Sequence, residues 1–193
     1  MKVALCQINT IVGNFKYNEE KILKYYKRSI NQNADIIVFP ELSITGYPPQ
    51  DLLWNDRFIN ENRNVLDTIA KETTIPLIVG YVRKDGGKIY NSAAICYDGK
   101  LQSSYDKVLL PTYDVFDELR YFTSGHEPRV SKIPFQGKNI TVGLQICEDL
   151  WDHNYDCKVS SIQKELGAEL LINISASPYH KERLRKRRSI IED

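Results

Sequence analysis

Three polar residues stand directly behind apolar runs, and together they have the makings of an amide-cleaving centre: Glu41, Lys107 and Cys147. Cys147 lies in the stretch ITVGLQICEDLW, Ile140–Trp151. There Ile140, Val142 and Leu144 alternate with Thr141 and Gly143, as in a strand that ends in a core. A thiol delivered at such an end, beside Glu148 and Asp149, sits where a nucleophile would meet a substrate. Free cysteines are also among the most buried residues, so on this stretch alone a core cysteine is an equal reading. Near neutral pH a thiol is mostly protonated and needs an activator. Glu41, behind the run ADIIVFP, could accept the proton as general base. Lys107, behind LQSSYD, supplies a fixed positive charge. That charge would favour the thiolate and then stabilise the oxyanion formed when sulfur attacks a carbonyl, with the Glu148 N–H as a second donor. The set amounts to acyl transfer through a thioester without histidine.

Each residue taken singly has a blander reading. Glu41 in a Pro-Glu-Leu loop is more often a capping or solvated carboxylate, and a lone lysine is usually on the surface. His126, His153 and His180 fall in loops or at a polar helix start, which leaves a Cys147–His153 pair as a lesser alternative. A Cys147–His153–Cys157 metal site lacks any CxxC spacing, so no metal is expected.

The elements that must position these groups follow from hydrophobic periodicity. Lys2–Asn9 reads as a first, central strand, and Asn18–Gln32 as an amphipathic helix capped by Asn18, with Ile22, Leu23, Tyr26 and Ile30 inward. Ala34–Pro40 is a near-continuous β-branched run of the kind found in buried sheets. The loop Leu42–Leu53, with Gly46, Pro48 and Pro49, is irregular. Arg57–Thr73 is a second helix with Phe58, Val65, Leu66, Ile69 and Ala70 inward. Pro76–Val82, Ile89–Tyr97 and Leu101–Lys107 are strands joined by tight turns at Lys84–Lys88 and Asp98-Gly99. Val108–Glu127 is a long irregular segment, and such a loop in a compact domain is usually functional. After the Cys147 strand come a helix, Lys158–Gly167, a strand, Glu169–Ile174, and a basic helix from His180 to Asp193. Strands alternating with helices but interrupted by hairpins predict a layered α/β fold, sheet packed on sheet with helices outside.

Composition bounds the function classes. The 193 residues suit one domain, and 42% hydrophobic with 26% charged residues is ordinary for a globular protein. A formal net charge of +1 gives no global attraction to nucleic acid or an anionic membrane. The run KERLRKRR, Lys181–Arg188, is short, has no interleaved aromatics and reads as a solvated helix face. Apolar runs are too short to span a bilayer. The cysteines Cys6, Cys96, Cys147 and Cys157 have no framework spacing, and MKVALCQINTIVGN reads as strand and loop rather than a secretory signal. Reduced thiols and a cytoplasmic location are expected.

Three ordered blocks carry a family resemblance: PELSITGYPPQDLL at Pro40–Leu53, YDKVLLPTYDVFDELRYF at Tyr105–Phe122 and GLQICEDLW at Gly143–Trp151. They resemble the signature blocks of the carbon–nitrogen hydrolase (nitrilase) superfamily, whose Glu-Lys-Cys triad maps onto Glu41, Lys107 and Cys147. Within it, GYPPQDLL, FDELRYF and ICEDLW are most similar to the glutamine-hydrolysing amino-terminal domain of glutamine-dependent NAD synthetases. The resemblance implies a four-layer α-β-β-α sandwich, here expected to lack its last strands. Residues 1–193 would be one glutamine amidotransferase domain, incomplete at its carboxyl end. It further implies that Cys147 attacks the side-chain amide of L-glutamine. Tyr113, Ser177 and Arg183 would hold the glutamine, Glu118 would position Lys107 or the substrate, and Glu148 would face the α-amino group. The ammonia would pass to an NAD synthetase domain or chain, in a homo-oligomer. No Ser-Gly-Gly-x-Asp-Ser loop or P-loop occurs in the sequence. ATP, Mg and deamido-NAD would therefore bind that absent domain, with no cofactor expected in this chain.

Overall fold

A computed structural model describes residues 1–114, 116–178 and 181–192, with the side chain of Arg183 outside the description. The chain runs β1 (Val3–Leu5), α1 (Phe15–Ile30), β2 (Ile36–Val38), α2 (Asp56–Lys71), β3 (Leu77–Asp85), β4 (Lys88–Tyr97) and β5 (Lys100–Asp106). It continues through β6 (Val130–Phe135), β7 (Lys138–Ile146), α3 (Val159–Glu165), β8 (Leu170–Ile174) and α4 (Arg183–Glu192). One sheet has the order β1-β2-β3-β4-β5, and a second has the order β6-β7-β8. β1, β2 and β3 are parallel, β3–β4 and β4–β5 are antiparallel hairpin pairs, and β7 pairs antiparallel with β6 and parallel with β8.

Period-2 alternation divides these strands between two cores. Ile37, Leu77, Val79, Tyr81, Ala94 and Cys96 face one way and pack with Ile22 and Tyr26 of α1 and Val65, Leu66, Ile69 and Ala70 of α2. Their neighbours Ile36, Val38, Ile78, Ala93, Ile95 and Tyr105 face the other way, against Ile133, Ile140, Val142, Leu144, Ile146, Ile172 and Ile174 of the second sheet. On the far side of that sheet, Gln163 of α3 is buried and donates to the Leu144 carbonyl at 2.7 Å. The layers are therefore helix, sheet, sheet, helix. Ile22, Tyr26 and the inward face read for α2 are buried as expected, Leu23 and Ile30 of α1 are half-buried, and the hairpins form as read. Gly86-Gly87 and Asp98-Gly99 take positive φ at both turn positions, as tight hairpin turns demand.

Three expectations are corrected. β1 is only three residues long and lies at the margin of its sheet, not at the centre. Its apolar run resembles that of a central strand, but Leu5 is 77% exposed. The α1 cap is Asn14, whose side chain accepts from the Tyr17 N–H. Asn18 is instead fully buried within the helix, bonded to both backbone groups of Ile11 and to the Ile44 carbonyl. Strand β6 is an unforeseen partner for β7, built from a segment whose Pro134 and polar residues hide the alternation. The start proposed for the basic helix at His180 lies outside the described residues; α4 begins at Arg183.

The long segment after β5 folds back over the first sheet. Leu110 and Phe122 join Leu42, Leu53, Phe58, Ile59 and Val82 in a third apolar cluster, with a helical turn at Glu118–Arg120. Close backbone approaches hold both loops of the site. At Gly80 on β3 a Cβ would stand 2.2 Å from the Leu42 nitrogen and 2.6 Å from the Glu41 carbonyl carbon. Gly80 also donates to the Pro40 carbonyl and accepts from the Ile44 N–H. At Gly125 a Cβ would meet the Asp106 carbonyl oxygen at 2.3 Å, while the Gly125 N–H donates to the Lys107 carbonyl at 2.7 Å. Backbone cannot yield as a flexible side chain does, so Gly80→Ala is expected to cost about 2–3 kcal/mol. Urea denaturation would read this loss, and ammonia or acid release from an amide would fall with it.

Candidate active site

Glu41 follows β2 by three residues, Lys107 follows β5 directly, and Cys147 follows β7 directly. The two sheets thus deliver all three groups at strand ends. The Lys107 ammonium is 2.9 Å from Glu41 Oε1 and 2.8 Å from Glu118 Oε2, with the lysine side chain fully buried. Glu41 Oε1 also accepts from Asn91 Nδ2 at 2.8 Å, and its Oε2 accepts from the Ala176 N–H at 2.9 Å. Glu118 Oε1 accepts from the Tyr47 hydroxyl at 3.1 Å. Burial by itself would push the Lys107 ammonium down, but Glu41 and Glu118, aided by Cys147, hold it well above the usual lysine range. Burial pushes the Glu118 carboxyl up, against the pull of Lys107.

Cys147 is 5% exposed and sits at φ 47°, a left-handed conformation unusual for a residue with a Cβ. Strand β7 turns here into the helical turn Cys147–Leu150. Its Sγ lies 3.4 Å from the Ser177 hydroxyl, which is 2.6 Å from that of Ser175. Burial, then the Glu41 charge, push the thiol up to about 11, outweighing Lys107. Lys107 pulls toward the thiolate, the direction expected of it, but burial and the Glu41 charge prevail.

Asp149 keeps this turn in place, a role the sequence did not suggest. It is fully buried and accepts from the Tyr105 hydroxyl (2.9 Å) and the Ile146 N–H (2.9 Å). It also accepts from the N–H groups of Val108 (3.1 Å) and Leu109 (2.9 Å). One carboxylate therefore ties the Cys147 turn to the chain that leaves Lys107. Burial pushes it up to about 6 from an ordinary 3.8. The folded state holds that proton more tightly than the unfolded chain, so this group favours folding below pH 3.8 and loses that contribution as pH rises through about 6.

The residues expected around the substrate are placed as follows. Ser177 and Glu118 meet Cys147 and Lys107 as described. Glu148 is buried, its Oε2 accepting from Tyr113 at 2.7 Å and its Oε1 from Tyr155 at 2.9 Å. These three residues, with Trp151, His153 and Asn154, line a cavity of ≈ 200 Å³. The Arg183 side chain lies outside the described residues. Asn91 and Tyr155 were missed. For Asn91 a signal existed, since asparagine is depleted within strands and IYNSAAIC otherwise reads as one. Among the described residues, no group of three or more His, Cys, Asp and Glu is arranged to hold a metal.

A two-sheet sandwich with a buried carboxylate–ammonium pair near a thiol on a strained turn is the arrangement of a thiol amidohydrolase. Residues 2–191 match the carbon–nitrogen hydrolase family model, and the chain belongs to that family. It is 40% identical over 183 residues to the glutamine-dependent NAD(+) synthetase of Thermotoga maritima, a match covering 93% of this chain and 31% of that protein. With the synthetase of Synechocystis sp. the identity is 36%, covering 92% and 34%. Among solved structures, the glutamine-dependent NAD+ synthetase of Acinetobacter baumannii superimposes with a TM-score of 0.88 at 32% identity, covering 98% of this chain and 35% of that one. An amidase from Nesterenkonia sp. shares the fold, with a TM-score of 0.79 at 22% identity and coverage of 95% and 68%. The chain spans about a third of the length of the curated relatives it matches.

Two outcomes test the geometry. Alkylation of Cys147 by iodoacetamide is expected to be slow at neutral pH and to rise toward a midpoint near 11. A rate already maximal at neutral pH would contradict the burial of Cys147 beside the Glu41 charge. Asp149→Ala leaves buried N–H and O–H donors unpaired and is expected to cost about 3 kcal/mol or more in urea denaturation.

Proposed function

We propose that this chain is the glutamine-hydrolysing part of a glutamine-dependent NAD synthetase. The observation that carries the reading is the buried Glu41–Lys107–Glu118 set, of which Glu41 and Lys107 act by charge on Cys147. Its similarity to synthetases along most of its length supports the choice of glutamine.

In this reading Cys147 Sγ attacks the side-chain carboxamide carbon of L-glutamine while its proton passes to Glu41. A thiol that stays protonated at rest fits a base acting during attack, rather than a standing ion pair. Lys107 holds the oxyanion, joined by the Glu148 N–H. Glu41 returns the proton to the departing nitrogen, the C–N bond breaks, and ammonia leaves a γ-glutamyl thioester. Glu41 then activates water, the C–S bond breaks, and glutamate and the free thiol are released. Glu118 fixes the Lys107 ammonium. Tyr113, Ser177 and Arg183 hold the substrate. Glu148, buried against the cavity, suits the α-ammonium, which favours an amino-acid amide over a plain aliphatic one. A free-standing amidase acting on another linear amide is the alternative that the shared fold allows.

The ammonia goes to a synthetase domain or chain in the same assembly, a cytoplasmic homo-oligomer. ATP, Mg and deamido-NAD belong to that partner. No step here runs through them.

Cys147→Ala is expected to lower ammonia release from glutamine by about 10³-fold or more, while Cys6→Ala and Cys96→Ala keep turnover. Cys6 and Cys96 lie in the core between the first sheet and its helices. Comparison of glutamine with propionamide separates the two amidase readings, and equal loss in all three variants would overturn both.

A further inference from the structure

Asn91 sits in β4 with 1% exposure and touches two of the three central residues at once. Its carbonyl accepts the Lys107 backbone N–H at 2.9 Å, and its Nδ2 donates to Glu41 Oε1 at 2.8 Å. An ionised carboxylate only accepts, so the amide must present its NH₂ there. Its Oδ1 is then buried with no hydrogen-bond partner among the described residues, where it stands as the sole orphaned side-chain atom of that kind. Buried polar atoms are rarely left so, and an orphan beside a reacting group calls for a reason.

We propose that Asn91 is a positioning residue whose amide follows the proton on Glu41. It donates through Nδ2 to the ionised carboxylate. When Glu41 carries the proton taken from Cys147, a half-turn of the amide brings Oδ1 to accept the new O–H. The unpaired oxygen of the resting state is the acceptor held for the protonated one. Either way Glu41 stays aimed while Lys107 and the Ala176 N–H hold its other contacts. The charged or titratable groups acting around Glu41 are Lys107, Glu118, Cys147 and Tyr47. Asn91 bonds to Glu41 and to the Lys107 backbone. The inference rests on the proposed reaction for its activity arm.

The test uses the full chain. Asn91→Leu is near in volume but has no donor or acceptor, and is expected to lower kcat for ammonia release by about 10- to 100-fold with KM within about 3-fold. Asn91→Asp is expected to lose as much at pH about 8 and to recover in part toward pH about 5, where the new carboxyl regains a proton and can donate. A purely structural role gives the two variants the same pH profile, and that result, or a kcat for Asn91→Leu within about 3-fold of the parent, overturns the proposal. The second arm needs no substrate. In ¹⁵N spectra the Asn91 side-chain amide, assigned by its loss in Asn91→Leu, is expected downfield and to move upfield in Glu41→Gln. An amide unmoved in Glu41→Gln overturns the proposal even if the chain proves inactive on glutamine. Inactivity with a displaced amide counts only against the reading of the substrate.

Discussion

A lysine with no exposed side-chain surface, caught between Glu41 and Glu118, is the constraint on which this structure turns. An ammonium taken out of water is tolerated only if its charge is met at close range, and removing one partner of such a buried set costs about 3–5 kcal/mol. The three residues come from three places: the loop after β2, the end of β5, and the helical turn at Glu118–Arg120. The need to satisfy Lys107 therefore dictates how both loops fold. Beside this set, burial and then the Glu41 charge push the Cys147 thiol up, against the pull of Lys107.

The scaffold meets this demand by bringing backbone against backbone. Gly80 lets the Glu41 loop lie on β3, and Gly125 lets the long segment return onto Asp106 and Lys107. Asp149 then locks the Cys147 turn to the same region through Val108 and Leu109. Each of these contacts joins segments far apart in the chain. A change at any one of them would disturb the triad without touching its side chains, because geometry at a reacting centre tolerates little displacement.

The layered sandwich was legible in the sequence because amphipathic helices and alternating strands state which face is buried. Ile36, Ile37 and Val38 announce a strand buried on both faces. Phe58, Val65, Leu66, Ile69 and Ala70 announce the inner stripe of α2. The three signature blocks made the family legible as well, since they bring Glu41, Lys107 and Cys147 in order. Less visible was anything that depends on a neighbour's identity. β1 looked central because its apolar run does not say how many strands flank it. Asn18 looked like a cap because polar residues at helix starts usually are, whereas here it bridges two loops from inside the helix.

By itself the sequence determined the types of the candidate reacting groups, their placement behind strands, and the two-sheet architecture that such strands require. Those are local properties, set by side-chain chemistry and by periodicity along the chain. Only the tertiary structure decided that Lys107 is shared between two glutamates, that Cys147 takes a left-handed turn, and that Asn91 and Asp149 hold Glu41 and that turn. Those depend on distances between segments separated by tens of residues, and on burial, which strengthens every charge interaction as water is removed.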